Sequence, residues 1–145
     1  MVADSEDYRE IDSLAVHRED VVSAFETNRT PGPRAVLRVT PPFAGRERAR
    51  LHVESEEEYT EDPRPLHVDP ATLLDFEGVP AYPSAAETED DLRADPDREY
   101  SIERHHATHT DRVADWRETV GEAIVASAEL DGRQGSHRVQ ILALG

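Results

Sequence analysis

The sequence predicts an α+β fold: a small, mostly antiparallel sheet packed against one long helix and two or three short helices. Three observations carry that expectation. Two neighbouring segments, RAVLRVT (34–40) and RERARLHVE (46–54), alternate apolar and polar residues with the period of a pleated strand. Beginning at Ser101, apolar residues recur with helical spacing over about seven turns. Breakers such as RTPGP (29–33) and DGRQGS (131–136) punctuate the chain between these stretches.

The elements follow in order. Residues 1–12 are polar and acidic and are expected to form a flexible tail, leaving 13–145 as a single α+β domain. Leu14 and Val16 mark a short strand. From Arg18, Val21, Val22 and Phe25 fall on one helical face, with Glu19 and Asp20 in the first turn, where the helix dipole favours acids. In 34–40, Ala35, Leu37 and Val39 point one way; in 46–54, Ala49, Leu51 and Val53 point inward as well. The linking PPFAG (41–45) is short enough for a hairpin. SEEEYTEDPRP (55–65) reads as a loop. LHVDPATLLDF (66–76) reads as a strand followed by a short helix, with Asp69 as N-cap and Pro70 at the first helical position. Ser84 and Glu87 form a capping box opening a helix that ends near Ala94. Ser101 caps the long helix over 101–130. Its stripe of Ile102, Val113, Trp116, Val120 and Ile124 is expected to lie across the sheet, and Gly121 weakens it modestly. HRVQILAL (137–144) is a final strand with Val139, Ile141 and Ala143 inward.

Composition excludes several function classes. A chain of 145 residues can bury about two-thirds of its extended surface, so it needs no staple. With no cysteine it has no disulfide, thiolate zinc site or thiol nucleophile. No apolar run reaches the roughly 20 residues of a bilayer-spanning helix. The opening MVADSEDYREID is acidic where a signal peptide is basic and then apolar, and a cytoplasmic location is expected.

The formal charge is -16, and all 16 basic residues are arginine. In dilute salt such a surface repels itself. At molar salt the Debye length shrinks to about 3 Å and the repulsion is screened. Lysine's long apolar stem is a poor choice where salt already strengthens hydrophobic association, whereas arginine keeps its forked pairing geometry. The balance therefore points to a halophilic protein, with inorganic cations and concentrated salt around its acidic surface. The charge reports the solvent and not a basic ligand.

Two local concentrations stand out. Between Thr27 and Val53 lie six arginines and a single acid, Glu47. In the expected hairpin Arg38, Arg48, Arg50 and His52 share the face opposite the core, and Arg46 continues the row. Such a field of forked donors suits a partner protein or a small anionic ligand. The salt dependence of polyanion binding and the lack of stacking aromatics argue against nucleic acid. The competing reading is that these arginines neutralise SEEEYTED or an acidic helix. The second concentration is HHATH: His105 and His109 are i,i+4, and His106 and His109 are i,i+3, spacings at which two rings can meet one divalent metal such as zinc. A further ligand would have to come from elsewhere, for example His52, His67 or His137. No HExxH arrangement, glycine-rich phosphate cradle or GxSxG elbow is present. The plainer reading of the three rings is core packing and hydrogen bonding.

The segments LAVHREDVV, RAVLRVTPPFAGRERARLHV and ERHHATHTDRVADWRETV together resemble a small family of uncharacterised haloarchaeal single-domain proteins, over roughly residues 14–144. The resemblance implies a halophilic archaeal source and one compact domain, and it carries no activity or residue role. The leading functional expectation is a non-enzymatic cytoplasmic domain that binds a partner protein or small anion through Arg38, Arg46, Arg48, Arg50 and His52. The alternatives are a metal- or histidine-dependent enzyme using His105, His106 and His109, and a nucleic-acid-binding domain.

Overall fold

The computed structural model describes residues 7–55 and 63–145, and its class is α+β, as the patterning predicts. Two compact units are present: Met1–Asp75 together with Ile124–Gly145, and Phe76–Ala123. The first holds every strand and the helix α1; the second holds α2 and α3.

In the first unit β1 (Ser13–His17) runs directly into α1 (Arg18–Thr27). Alternation along β1 buries Leu14 and Val16 completely, and α1 buries Val21, Val22 and Ala24. Asn28 closes the helix, and its side-chain amide exchanges two 2.8 Å hydrogen bonds with the backbone of Ala35. That clamp spans the RTPGP breaker and sets the start of β2 (Ala35–Val39).

The arginine-rich stretch is extended, but it is divided between two sheets. β3 (Arg46–Arg48) pairs in parallel with β1, while β4 (Arg50–Val53) pairs antiparallel with β2, placing Leu51 opposite Leu37. Ala49 is buried between them and donates its N–H to Ala15 O at 2.9 Å. With β5 (Leu66–Val68), β6 (Ser127–Gly132) and β7 (Gly135–Leu144), the result is a four-stranded sheet of order β3-β1-β7-β6 and a three-stranded sheet of order β4-β2-β5. The simple hairpin expected across PPFAG is therefore not formed. Phe43 is buried, and Gly45 O accepts from the N–H groups of Asp12 and Ser13, so the linker anchors to the start of β1 and draws residues 46–48 away from β2.

The four-stranded sheet packs Leu14, Val16, Ala128, Leu130, Val139 and Ile141 to one side. In the three-stranded sheet Ala35, Leu37 and Val39 are buried, and α1 packs along β2 and β4. The expectation that Leu51 and Val53 point into the core is corrected. They share the pleat face of Leu37 and Ala35 but are 42% and 53% exposed, because β4 is an edge strand that α1 only partly covers. At the chain start, Tyr8 and Ile11 are buried around a short 3-10 turn (Tyr8–Glu10) whose N-cap, Asp7, accepts from Arg9 N. The part of the expected tail before Asp7 lies outside the described residues, as does most of the loop read over 55–65, namely 56–62.

In the second unit α2 (Ala85–Arg93) begins at Ser84, whose hydroxyl accepts from Glu87 N, and α3 (Ile102–Glu122) begins at Ser101, whose hydroxyl accepts from Arg104 N. Val113, Trp116 and Val120 are buried; Trp116 Nε1 donates to Pro80 O at 2.9 Å, with Tyr82 edge-on at 4.8 Å. Two expectations change. Ile102 is 80% exposed and belongs to no core stripe. The helix stops at Glu122, and residues assigned to its last turns become β6. There Ala128 and Leu130 are buried while Ser127 and Glu129 are exposed, a period of two that pairing with β7 selects over the helical propensity of an alanine-rich run.

Candidate functional site

Alternation puts Arg46 and Arg48 of β3 on one side of the four-stranded sheet and Arg50 and His52 of β4 on one side of the three-stranded sheet, with Ala49 buried between the two strands. The register then shows what accompanies them. Arg46 lies beside Ser13 and Arg48 beside Ala15, and those positions lie beside Gln140 and Leu142 on β7. One face of the four-stranded sheet thus carries Arg46, Arg48, His17, Arg138, Gln140, Leu142 and Leu144. Leu142 is 49% exposed and Leu144 39% exposed. A shallow depression runs along it beside Arg46, Gln140 and Leu142.

The SEEEYTED segment named in the neutralisation reading lies, from residue 56 on, outside the described residues. Arg48 Nη2 contacts His17 Nε2, and among the described residues none of Arg46, Arg48 and Arg50 forms an ion pair with a carboxylate. Other arginines do: Arg34 meets Asp69 at 3.0 Å and Arg112 meets Asp91 at 3.0 Å. In a chain with twice as many acids as bases, Arg46 and Arg48 on β3 and Arg50 on β4 are exposed without a carboxylate partner among the described residues.

The five residues expected to form one surface are not brought together. Arg38 is directly opposite Arg50 in the β2–β4 ladder, a like-charge pairing that costs stability unless an anion intervenes. Arg38 and His52 are half-buried, with Arg38 Nη1 3.4 Å from His52 Nε2. The His52 ring lies 5.4 Å from that of His67, and His67 Nδ1 is 2.8 Å from Glu54 Oε2. Arg38 and His52 thus belong to an inner polar cluster with His67, named from the sequence only as a possible distant metal ligand, and Glu54, which the sequence did not single out. Their signal was weak: only the β2–β5 register, with Arg38 opposite His67, reveals it.

The histidine turn is held locally. His105 Nε2 is 2.9 Å from Ala85 O, and the His105 and His109 rings stack 5.8 Å apart at 8°. His109 Nδ1 is 3.0 Å from Thr88 Oγ1, which also accepts from Arg112 Nη1 at 3.2 Å. His106 is exposed. Among the described residues no group of three or more His, Cys, Asp or Glu side chains is placed to hold a metal ion. Nor, among them, is any helix long and apolar enough to cross a membrane.

No curated protein and no solved structure matches the chain. A family model does match, over residues 1–145, and so the chain belongs to the family described as domain of unknown function DUF8009.

Proposed function

We propose that this protein is a non-enzymatic binding module of a salt-rich, haloarchaeal cytoplasm that docks a partner protein through the open face of its four-stranded sheet. The observation that carries the reading is the pair Arg46 and Arg48 on β3, exposed and, among the described residues, paired with no carboxylate, on the same sheet face as exposed Leu142 and Leu144. An apolar patch bordered by arginine is the composition of a protein interface, where buried apolar contact supplies affinity and forked donors supply orientation. A flat face also suits a macromolecule better than a small ion. Concentrated salt removes long-range attraction but leaves contact pairs and strengthens apolar association, so the mixture fits the solvent inferred from the charge.

Site-specific photo-crosslinking in cells, with the photoreactive residue at Gln140, tests the docking face. The expected result is a discrete protein adduct that disappears in the R46E/R48E variant while circular dichroism is unchanged. Adducts that persist in that variant overturn the proposal. The solvent inference is separately testable: the melting temperature should rise steeply between dilute buffer and about 3 M KCl. A salt-independent transition would refute it.

A further inference from the structure

The first unit contains a second feature that the docking face does not use. A cavity of about 190 Å³ lies among Tyr8, Phe43, Pro65, Leu66, His67 and the β6–β7 turn. Its walls are of two kinds. Phe43 and Pro65 are buried, and Leu66 and the Tyr8 ring continue this apolar surface. Against it stand Arg64 and Arg133, brought in from distant parts of the chain, together with the His67–Glu54 pair. We propose that this cavity binds a small organic acid, with an apolar body of about six carbons against Phe43 and Leu66 and its carboxylate at Arg133.

Size sets the body. An apolar cavity of about 150 Å³ accepts benzene, so a volume of 190 Å³ leaves room for one ring or compact branched chain plus a carboxylate. Charge sets the head group. Two acids also border the cavity: Glu54 is engaged by His67, and Asp131 accepts from the Ser136 hydroxyl, a bond that orients its carboxylate without neutralising it. Arg133, by contrast, forms no ion pair with a carboxylate among the described residues. An uncommitted guanidinium facing an apolar pocket is suited to bidentate recognition of a carboxylate.

The turn that presents Arg133 is fixed rather than loose. The Tyr8 hydroxyl donates to Gly135 O, and the Tyr8 ring passes so close to Gly132 that a Cβ there would lie 2.8 Å from Cε1. Gly135 has φ +94°, in the left-handed region that glycine supplies without strain. The Asp131–Ser136 bond closes the same hairpin from the other side. A buried tyrosine from the chain start and two glycines thus hold one arginine at the cavity edge.

The test is an NMR titration of the full chain in the salt buffer in which it folds, using four probes: benzoate, cyclohexanecarboxylate, benzyl alcohol and acetate. Benzoate and cyclohexanecarboxylate should shift the Phe43 ring and Leu66 methyl resonances saturably. Benzyl alcohol lacks the charge and acetate the body, and each should bind roughly tenfold weaker or worse. R133Q, a change in an exposed turn, should weaken benzoate by about the same factor. Absence of saturable shifts with both ring acids overturns the proposal. Equal binding of benzyl alcohol, or undiminished benzoate binding by R133Q, removes the carboxylate–Arg133 recognition and overturns it as well. Equal binding of acetate refutes the apolar body.

Discussion

Replacing Thr88 by valine should destabilise the second unit by about 2–3 kcal/mol, and the hydrogen-bond accounting shows why. Thr88 is fully buried and polar, on α2. A hydroxyl offers one proton and two lone pairs. The proton goes to Ser84 O, at 3.1 Å, leaving both lone pairs to accept from Arg112 Nη1 at 3.2 Å and from His109 Nδ1 at 3.0 Å. That assignment puts the His109 proton on Nδ1. Valine keeps the shape and removes all three bonds. The Ser84 carbonyl still receives the N–H of Thr88, so its loss is minor. The Arg112 bond is charge-assisted and is partly replaced by the Asp91 pair, whereas the His109 N–H loses its acceptor. A net bond to a charged group contributes about 1.5–3 kcal/mol and a neutral one about 1 kcal/mol, which gives the stated range after that partial compensation. Serine at the same position keeps the hydroxyl and should cost only the missing methyl, about 1 kcal/mol. The assay is urea unfolding of the wild type, T88V and T88S followed by α-helical circular dichroism, together with 15N spectra of His109. T88V as stable as T88S, or a His109 proton found on Nε2, would refute the hub.

Two further outcomes are expected. Leu37 and Leu51 face each other on one pleat face, yet Leu37 has no exposed surface and Leu51 is 42% exposed; L37A should cost about 2–5 kcal/mol and L51A about 1 kcal/mol by the same denaturant assay, and equal costs would contradict the edge-strand geometry. The Arg9 guanidinium and backbone N–H beside Asp7 hold its carboxyl below the ordinary carboxylate value, so the pair supports the fold above the unfolded carboxylate pKa and its contribution fades as pH falls through the lower, folded one. In R9Q the backbone N–H remains, and the Asp7 midpoint followed by 13C NMR should move up only part of the way; an unmoved midpoint would show that the guanidinium is not the cause.

How much could be read from residue order depended on the range of the determining interaction. The Asp69, Ser84 and Ser101 caps were legible because each is set by a side chain within a few residues of the backbone N–H it accepts from. The β6 strand was not. An alanine-rich run continuing α3 has every local reason to stay helical, and only the ladder with β7 converts it. The division of residues 46–53 was equally hidden, since it depends on Gly45 and Ala49 bonding to β1, more than thirty residues away. At the candidate site, Arg46 and Arg48 share one face of the four-stranded sheet, as alternation suggests, whereas Arg50 lies in the other sheet. Alternation could not show that Arg38 and His52 retreat into a cluster with His67 and Glu54. Arg133 carried no signal at all, because its importance comes from Tyr8 at the other end of the chain.

Among the described residues, the run 46–53 passes from one sheet to the other, β3 into β4, with Ala49 as its hinge pin. The length of that run is therefore frozen. A single residue gained or lost at Ala49 would turn every later side chain over, setting Arg50 toward α1 and Leu51 away from it. Nor can either sheet melt in isolation, because fraying at one end pulls on the other. Two sheets with separate strand orders are in this way yoked through the two peptide bonds of Ala49.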